Sequence, residues 1–321
     1  MMIRLSVFVI ALGLAACAPT NEQPAPATTW THGAMVAAAN PAAVEAALAV
    51  LADGGHAVDA AIAAHAVLGL VEPESSGIGG SAFMFVYDRE SDAMVVFDGR
   101  ETAPSGATPA LYAPDGEPIG FRDLWALGIT VGVPGAVAVY ESAHRRFGRS
   151  EWAGLFDPAI RLASDGFEVT EKLTRYNESI EPLLASGDFP AAAQYLMPDG
   201  KPLSAGDIIT NPAYAETLSA IADGGAAAFY EQQLAASIAE RAAMPPAGSS
   251  MSIVDLASYA AIERTPVCGD FRAYSICSVP PPSSGVAVIS MAVLYDHLQG
   301  DNRSGSEDKL SVFVDAQRLA Y

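Results

Sequence analysis

The sequence predicts an α+β fold. Helical segments that start at Asn-Pro or Asp-Pro and stop at Gly fill its middle, and strand-like runs lie near 82–98 and 267–279. Strands and helices do not alternate regularly, so the pattern argues against a dinucleotide-binding α/β architecture. The chain has 321 residues, 51% of them hydrophobic, which suffices for one large or two ordinary domains with a sizeable core.

Asn40-Pro41 opens the first helix, because Asn can accept from free amides and Pro suits the first turn. The helix runs over 42–52 and stops at Gly54-Gly55, where a left-handed residue costs little. A second helix, over 58–70, is apolar almost all round, the mark of a helix enclosed in a core. His65 lies within it and reads as a core or boundary histidine. Residues 72–80 form a turn-rich connection, followed by paired strands over 82–87 and 94–98 joined by a polar loop. Val131-Gly132-Val133-Pro134-Gly135 leads into a helix ending at Gly148. Asp157-Pro158 opens another, ending at Gly166, and Asn211-Pro212 a third, ending at Gly224-Gly225. Residues 306–321 carry Leu310, Phe313, Val314, Gln317 and Tyr321 at helical spacing with no stop signal, so the chain is expected to be part of a longer precursor.

The first residues read as an address. Arg4 supplies a positive charge, residues 5–16 an apolar run, and Leu14-Ala15-Ala16-Cys17 resembles the bacterial lipobox. The run is shorter than the roughly 20 residues that span a bilayer. Residues 1–16 are therefore expected to be a lipoprotein signal peptide and Cys17 the lipidated N-terminus; an ordinary signal peptide with a coincidental Cys is the alternative. The expected location is periplasmic, lipid-anchored to a bacterial membrane, with Ala18 favouring the outer membrane. Residues 17–31 read as a flexible tether, and 32–321 as the folded region.

Composition narrows the chemistry. There are 37 acidic and 17 basic residues, for a net charge of −20, which argues against a nucleic-acid partner. Three Cys are too few for a disulfide scaffold or a four-thiolate metal site. The five His are scattered, no metal-binding helix motif occurs, and no metal or cofactor is expected. Gly77-Ile78-Gly79-Gly80 lacks the Lys and Ser or Thr of a phosphate loop and precedes a strand. Thr28-Thr29 sits in the tether and makes a poor nucleophile candidate. Cys268 and Cys277 flank a hairpin turn around Asp270-Phe271-Arg272; a cross-strand disulfide or two separate buried thiols both fit. Arg100 follows a strand, where a guanidinium can grip a carboxylate in bidentate fashion. A surface ion pair with Glu101 or Asp98 is the plainer reading of the residues alone.

Several short segments stand in a particular order. They are His32-Gly33-Ala34-Met35-Val36-Ala37, Gly54-Gly55-His56-Ala57-Val58-Asp59-Ala60-Ala61 and Glu72-Pro73-Glu74-Ser75-Ser76-Gly77-Ile78-Gly79-Gly80. Then come Arg100-Glu101-Thr102-Ala103-Pro104, Val131-Gly132-Val133-Pro134-Gly135 and Ala163-Ser164-Asp165-Gly166-Phe167. Glu263-Arg264-Thr265-Pro266 and Pro280-Pro281-Pro282-Ser283-Ser284-Gly285 complete the set. Together they resemble the large-subunit region of the γ-glutamyltransferase (γ-glutamyltranspeptidase, glutathione hydrolase) family, over about 32–321.

The resemblance implies an α+β N-terminal-nucleophile hydrolase fold, an αββα sandwich of which this chain would hold only the large-subunit part. It implies a precursor that cleaves itself before a Thr, whose hydroxyl then takes a γ-glutamyl group from glutathione or a related compound and passes it to water or an amine. The implied partners are those small molecules and a small subunit from the same precursor. No catalytic residue is expected in this chain, because the nucleophilic Thr belongs beyond Tyr321. The chain alone is therefore expected to be inactive. Arg100 matches the family arginine that binds the α-carboxylate of the γ-glutamyl group, and Glu101 is assigned to structure. Ser81-Ala82 after Gly80, Val286 after Gly285 and Gln232 after Phe229-Tyr230 depart from the family pattern. A cephalosporin (glutaryl) acylase-like enzyme on the same scaffold, or a non-catalytic lipoprotein binding module, is the alternative.

Overall fold

A computed structural model of the chain describes residues 33–321 except 125–126, 247 and 300–305. The signal peptide, Cys17, the tether, Thr28-Thr29 and His32 lie outside the described residues. Residues Met35–Tyr321 pack as one unit.

Helix α1, Pro41–Ala52, begins as its sequence suggests: the Asn40 side chain accepts from the Ala42 amide at 3.0 Å, with Pro at the first position. Gly54 then takes a φ of 88° and turns the chain back. Helix α2, Ala57–Val71, starts with a reciprocal cap in which His56 Nδ1 accepts from Val58 and the Asp59 carboxylate accepts from the His56 amide. Asp59 is fully buried and also accepts from the backbone N–H groups of Arg149 and Ser150, tying α2 to a distant loop. The nearly all-apolar α2 packs against α1 and against two later helices, which explains its lack of a polar face.

Strands β1, Ala82–Asp88, and β2, Ala93–Gly99, form an antiparallel hairpin with Ala82 opposite Gly99. After the short helix α3, Phe121–Leu124, come α4, Ala136–Phe147, and α5, Asp157–Asp165. These last two are the helices that pack on α2. A two-residue strand β3, Phe167–Glu168, precedes α6, Glu171–Leu184, and α7, Pro190–Leu196. Strand β4, Ile208–Ile209, pairs with β3.

Helix α8 spans Pro212–Tyr230 in two segments. The first ends at Gly224-Gly225 as the sequence suggests, with Gly225 outside helical geometry at φ 66°. A second helical segment follows at once, and its Ala226 amide donates to the Glu141 carboxylate at 3.1 Å. Helices α9, Gln233–Ala242, and α10, Ile253–Ala257, follow. Strand β5, Ile262–Arg264, then joins the hairpin in the order β1-β2-β5, with Phe97 opposite Glu263.

Strands β6, Val267–Phe271, and β7, Tyr274–Ser278, make a separate antiparallel ribbon. Its two-residue turn is Arg272-Ala273, one step later than expected, and Arg272 takes a φ of 56° there. Cys268 faces Cys277 across the ribbon, and the two are disulfide-bonded with Cα atoms 4.1 Å apart. Helices α11, Gly285–Gln299, and α12, Ser306–Ala320, complete the chain. Val286, which departs from the family pattern, sits in the first turn of α11, a helical position that a β-branched residue can occupy. The described strands thus form one three-stranded sheet and two ribbons, and no two broad sheets stack among them. Large core side chains fall where α2, α4, α5, α8 and β2 meet, including Leu70, Phe97, Tyr140, Phe156 and Leu218.

Candidate functional site

Four of the sequence segments that lie far apart in the chain converge at the end of β2. Gly99 runs so close to Gly135 that a Cβ on Gly135 would collide with the Gly99 carbonyl, which makes glycine necessary at that crossing. Thr102 and Val133 form an antiparallel bridge, and the Val133 amide donates to the Thr102 carbonyl at 2.8 Å. The Gly80 carbonyl accepts from the amides of Gly135 and Ala136 at 3.0 and 3.1 Å, so the glycine turn caps the start of α4. Arg264, from the fourth segment, donates to Asp98 Oδ2 at 2.8 Å.

The glycine turn is itself anchored. Glu72 is 3% exposed, accepts from the Asn40 side-chain Nδ2 and pairs with Lys172, which also lies 3.0 Å from Glu74. Burial pushes the Glu72 carboxyl up, but hydrogen bonding, chiefly with Lys172, outweighs it and leaves the group below its ordinary value.

Arg100 stands at the centre of this convergence. Its amide donates to Asp98 Oδ1 at 3.0 Å, and its carbonyl accepts from the Tyr259 hydroxyl at 2.7 Å. The backbone is therefore held from both sides while the side chain is half exposed. The guanidinium Nε lies 3.3 Å from Glu101 Oε1, the surface pair that the residues alone suggested. Asp98 does not pair with the Arg100 guanidinium, because Arg264 occupies its second oxygen. A half-exposed pair of this kind is worth little in stability, since water screens both charges. The Arg100 side chain can thus exchange Glu101 for another carboxylate at small cost.

Tyr259 was not foreseen. It lies 159 residues from Arg100 in sequence, and no local pattern marks it. Its ring stacks on Tyr230, with centroids 5.8 Å apart and planes 12° apart. The Tyr230 hydroxyl donates to the Pro134 carbonyl at 2.9 Å and accepts from the Ala138 amide at 3.2 Å. Burial raises the Tyr259 phenol to about 12, helped by the negative charges of Asp98 and Glu101, so it is a donor at neutral pH.

The other sequence candidates lie elsewhere. His65 packs in the core boundary with Nδ1 on the Tyr140 hydroxyl, and burial lowers its pKa. Cys268 and Cys277 belong to the β6–β7 ribbon. A mainly apolar cavity of about 600 Å³ is lined by Ile78, Pro134, Phe229, Leu234 and Ile238, and Arg100 takes no part in it.

Residues 43–321 match the sequence profile of the γ-glutamyltranspeptidase family. The glutathione hydrolase proenzyme of Bacillus subtilis strain 168 is 35% identical over 292 residues, which cover 89% of this chain and 49% of the relative. The chain spans about half the length of the curated relatives it matches. The crystal structure of Helicobacter pylori γ-glutamyltranspeptidase superposes with a TM-score of 0.84 at 28% identity, over 91% of this chain and 83% of that one. The Bacillus anthracis transpeptidase CapD superposes at 0.73 and 31%, over 91% of both chains. The fold is the α+β fold of the N-terminal-nucleophile hydrolases, and the chain belongs to the γ-glutamyltranspeptidase family.

Proposed function

We propose that the complete protein is an exported γ-glutamyltransferase and glutathione hydrolase, of which this chain supplies the large-subunit part. In this reading the precursor cleaves itself ahead of a Thr that lies outside these 321 residues. The freed α-amine takes the proton from the Thr hydroxyl, and the oxygen attacks the γ-carbonyl of glutathione or a related γ-glutamyl compound. The C–N bond breaks, the amine leaves with a proton, and an ester to Thr remains. Water or an acceptor amine attacks that ester and restores the hydroxyl. Arg100 binds the α-carboxylate of the donor and orients the γ-carbonyl toward the nucleophile.

The observation that carries the reading is the Arg100 arrangement: a backbone fixed on both sides and a half-exposed guanidinium whose Glu101 partner a substrate carboxylate can replace. Lys at this position would keep the charge and lose the fork that grips a carboxylate with two hydrogen bonds. In the full-length enzyme, Arg100→Lys is expected to raise KM for γ-glutamyl-p-nitroanilide about ten-fold or more, with kcat changed less. Unchanged kinetics in a normally processed variant would refute the role. Faster turnover of a glutaryl-cephalosporin than of the γ-glutamyl anilide would assign the scaffold to acylase chemistry instead.

The proposed location is the periplasmic face of a bacterial membrane, most simply the outer membrane, through a lipid on Cys17. The charged start, the short apolar run and the Leu-Ala-Ala-Cys sequence support this. A fatty-acid label that is incorporated equally by the Cys17→Ala variant would remove the anchor.

A further inference from the structure

We propose that Tyr259 is a positioning residue for Arg100: its hydroxyl holds the Arg100 carbonyl and fixes the strand-end peptide from which the guanidinium reaches a donor carboxylate. The inference rests on the donor-binding role proposed for Arg100.

The geometry supports a clamp more than a general structural contact. Arg100 is the residue at which β2 gives way to a loop, so the sheet ladder no longer constrains its peptide. Two groups replace the ladder. Asp98 Oδ1 takes the amide, and the Tyr259 hydroxyl donates to the carbonyl. Asp98 is in turn held by Arg264, from the neighbouring strand β5. Tyr259 is held by its stack on Tyr230, and Tyr230 is fixed to the start of α4 by its bonds to Pro134 and Ala138. Gly135 makes the arrangement possible, because a Cβ there would strike both the Tyr259 hydroxyl and the Gly99 carbonyl. The Arg100 peptide is thereby referenced to the α4 terminus and to the sheet at once.

Removing the hydroxyl frees one side of this peptide. The guanidinium then samples more orientations, and a bidentate grip on a carboxylate suffers more from misorientation than a bare charge attraction does. The loss falls on donor binding and leaves the acyl-transfer step itself little changed, since Tyr259 in this account touches neither the reacting carbonyl nor the nucleophile.

The test uses the full-length, self-processed enzyme with γ-glutamyl-p-nitroanilide as donor. Tyr259→Phe keeps the ring on Tyr230 and removes only the hydroxyl. It is expected to raise KM about five-fold, the size of one neutral hydrogen bond, with kcat within about two-fold of the parent. In an Arg100→Ala background the same change is expected to have no further effect on KM. Tyr259→Met, which keeps an apolar body over Tyr230, serves as a second hydroxyl-free variant should the first fail to process.

An unchanged KM in a processed Tyr259→Phe enzyme overturns the positioning role while leaving that of Arg100 standing. An equal KM increase with and without Arg100 also overturns it, because Tyr259 would then act independently. A parental KM in Arg100→Ala itself removes the donor-binding reading, and the positioning role falls with it.

Discussion

Helices α2 and α11 are alike in sequence and opposite in surroundings. Each has 15 residues and an almost unbroken apolar composition. In α2, residues such as Val58, Ile62, Val67 and Leu70 are fully enclosed. In α11 only Gly285 and Ile289 are buried, while Val286, Val288 and Val293 are exposed. The difference lies in the neighbours. α1, α4 and α5 surround α2, whereas α11 packs on α12 and the β6–β7 ribbon. An apolar helix is thus buried by what stands around it, and hydrophobicity alone does not decide the matter. The contrast extends to the two regions: the fully enclosed Leu, Ile, Phe and Tyr side chains among the described residues lie before β6, from Ile62 to Leu256, and Val312 is the enclosed valine after it.

The comparison can be broken by mutation. The largest effect is expected at Phe97, which is fully buried in β2 and meets Phe147 edge to face at 6.1 Å. Phe97→Ala removes that packing and leaves a cavity, at a cost of about 3–5 kcal/mol. Urea unfolding of the purified protein checks this, and a loss below about 1 kcal/mol would show that the central region is not tightly packed. A smaller and more local effect is expected from Cys268→Ser. A cross-link between residues nine apart in sequence restricts the unfolded chain by about 2–3 kcal/mol. Because the ribbon packs chiefly on α11, the loss should appear as faster amide exchange in 267–278 and the adjoining helix. If exchange rose equally in α2 and α4, the two regions would be one cooperative unit and the contrast would fail.

The helix boundaries were legible because their signals are local. Asn40-Pro41 acts through a capping bond, the Gly54 reversal through a positive φ and Asp157-Pro158 through the fixed φ of Pro in the first turn, none of which needs a distant residue. Gly224-Gly225 stops its helical segment in the same local way, because glycine takes the φ of 66° without strain. That a second segment starts at once, with the Ala226 amide on the Glu141 carboxylate of another helix, is not local information. Arg100 was visible as a candidate from its place after a strand and from its ordered neighbours in the family pattern. Its half-exposed pairing with Glu101 was visible as well. The Tyr259 clamp was not, because a hydroxyl-to-carbonyl bond across 159 residues leaves no periodicity to read.

The amino-acid sequence by itself determined where α1, α2, α4 and α5 and the strands of the two hairpins lie, since capping, turn chemistry and apolar periodicity act over a few residues. It also marked Arg100 as the cation to examine. Only the tertiary structure decided that the Gly80, Gly135, Asp98 and Arg264 segments meet around that cation, and that a tyrosine pair holds its backbone. Those contacts depend on how helices and sheet pack against one another, and packing brings together groups whose separation along the chain carries no mark of their eventual distance.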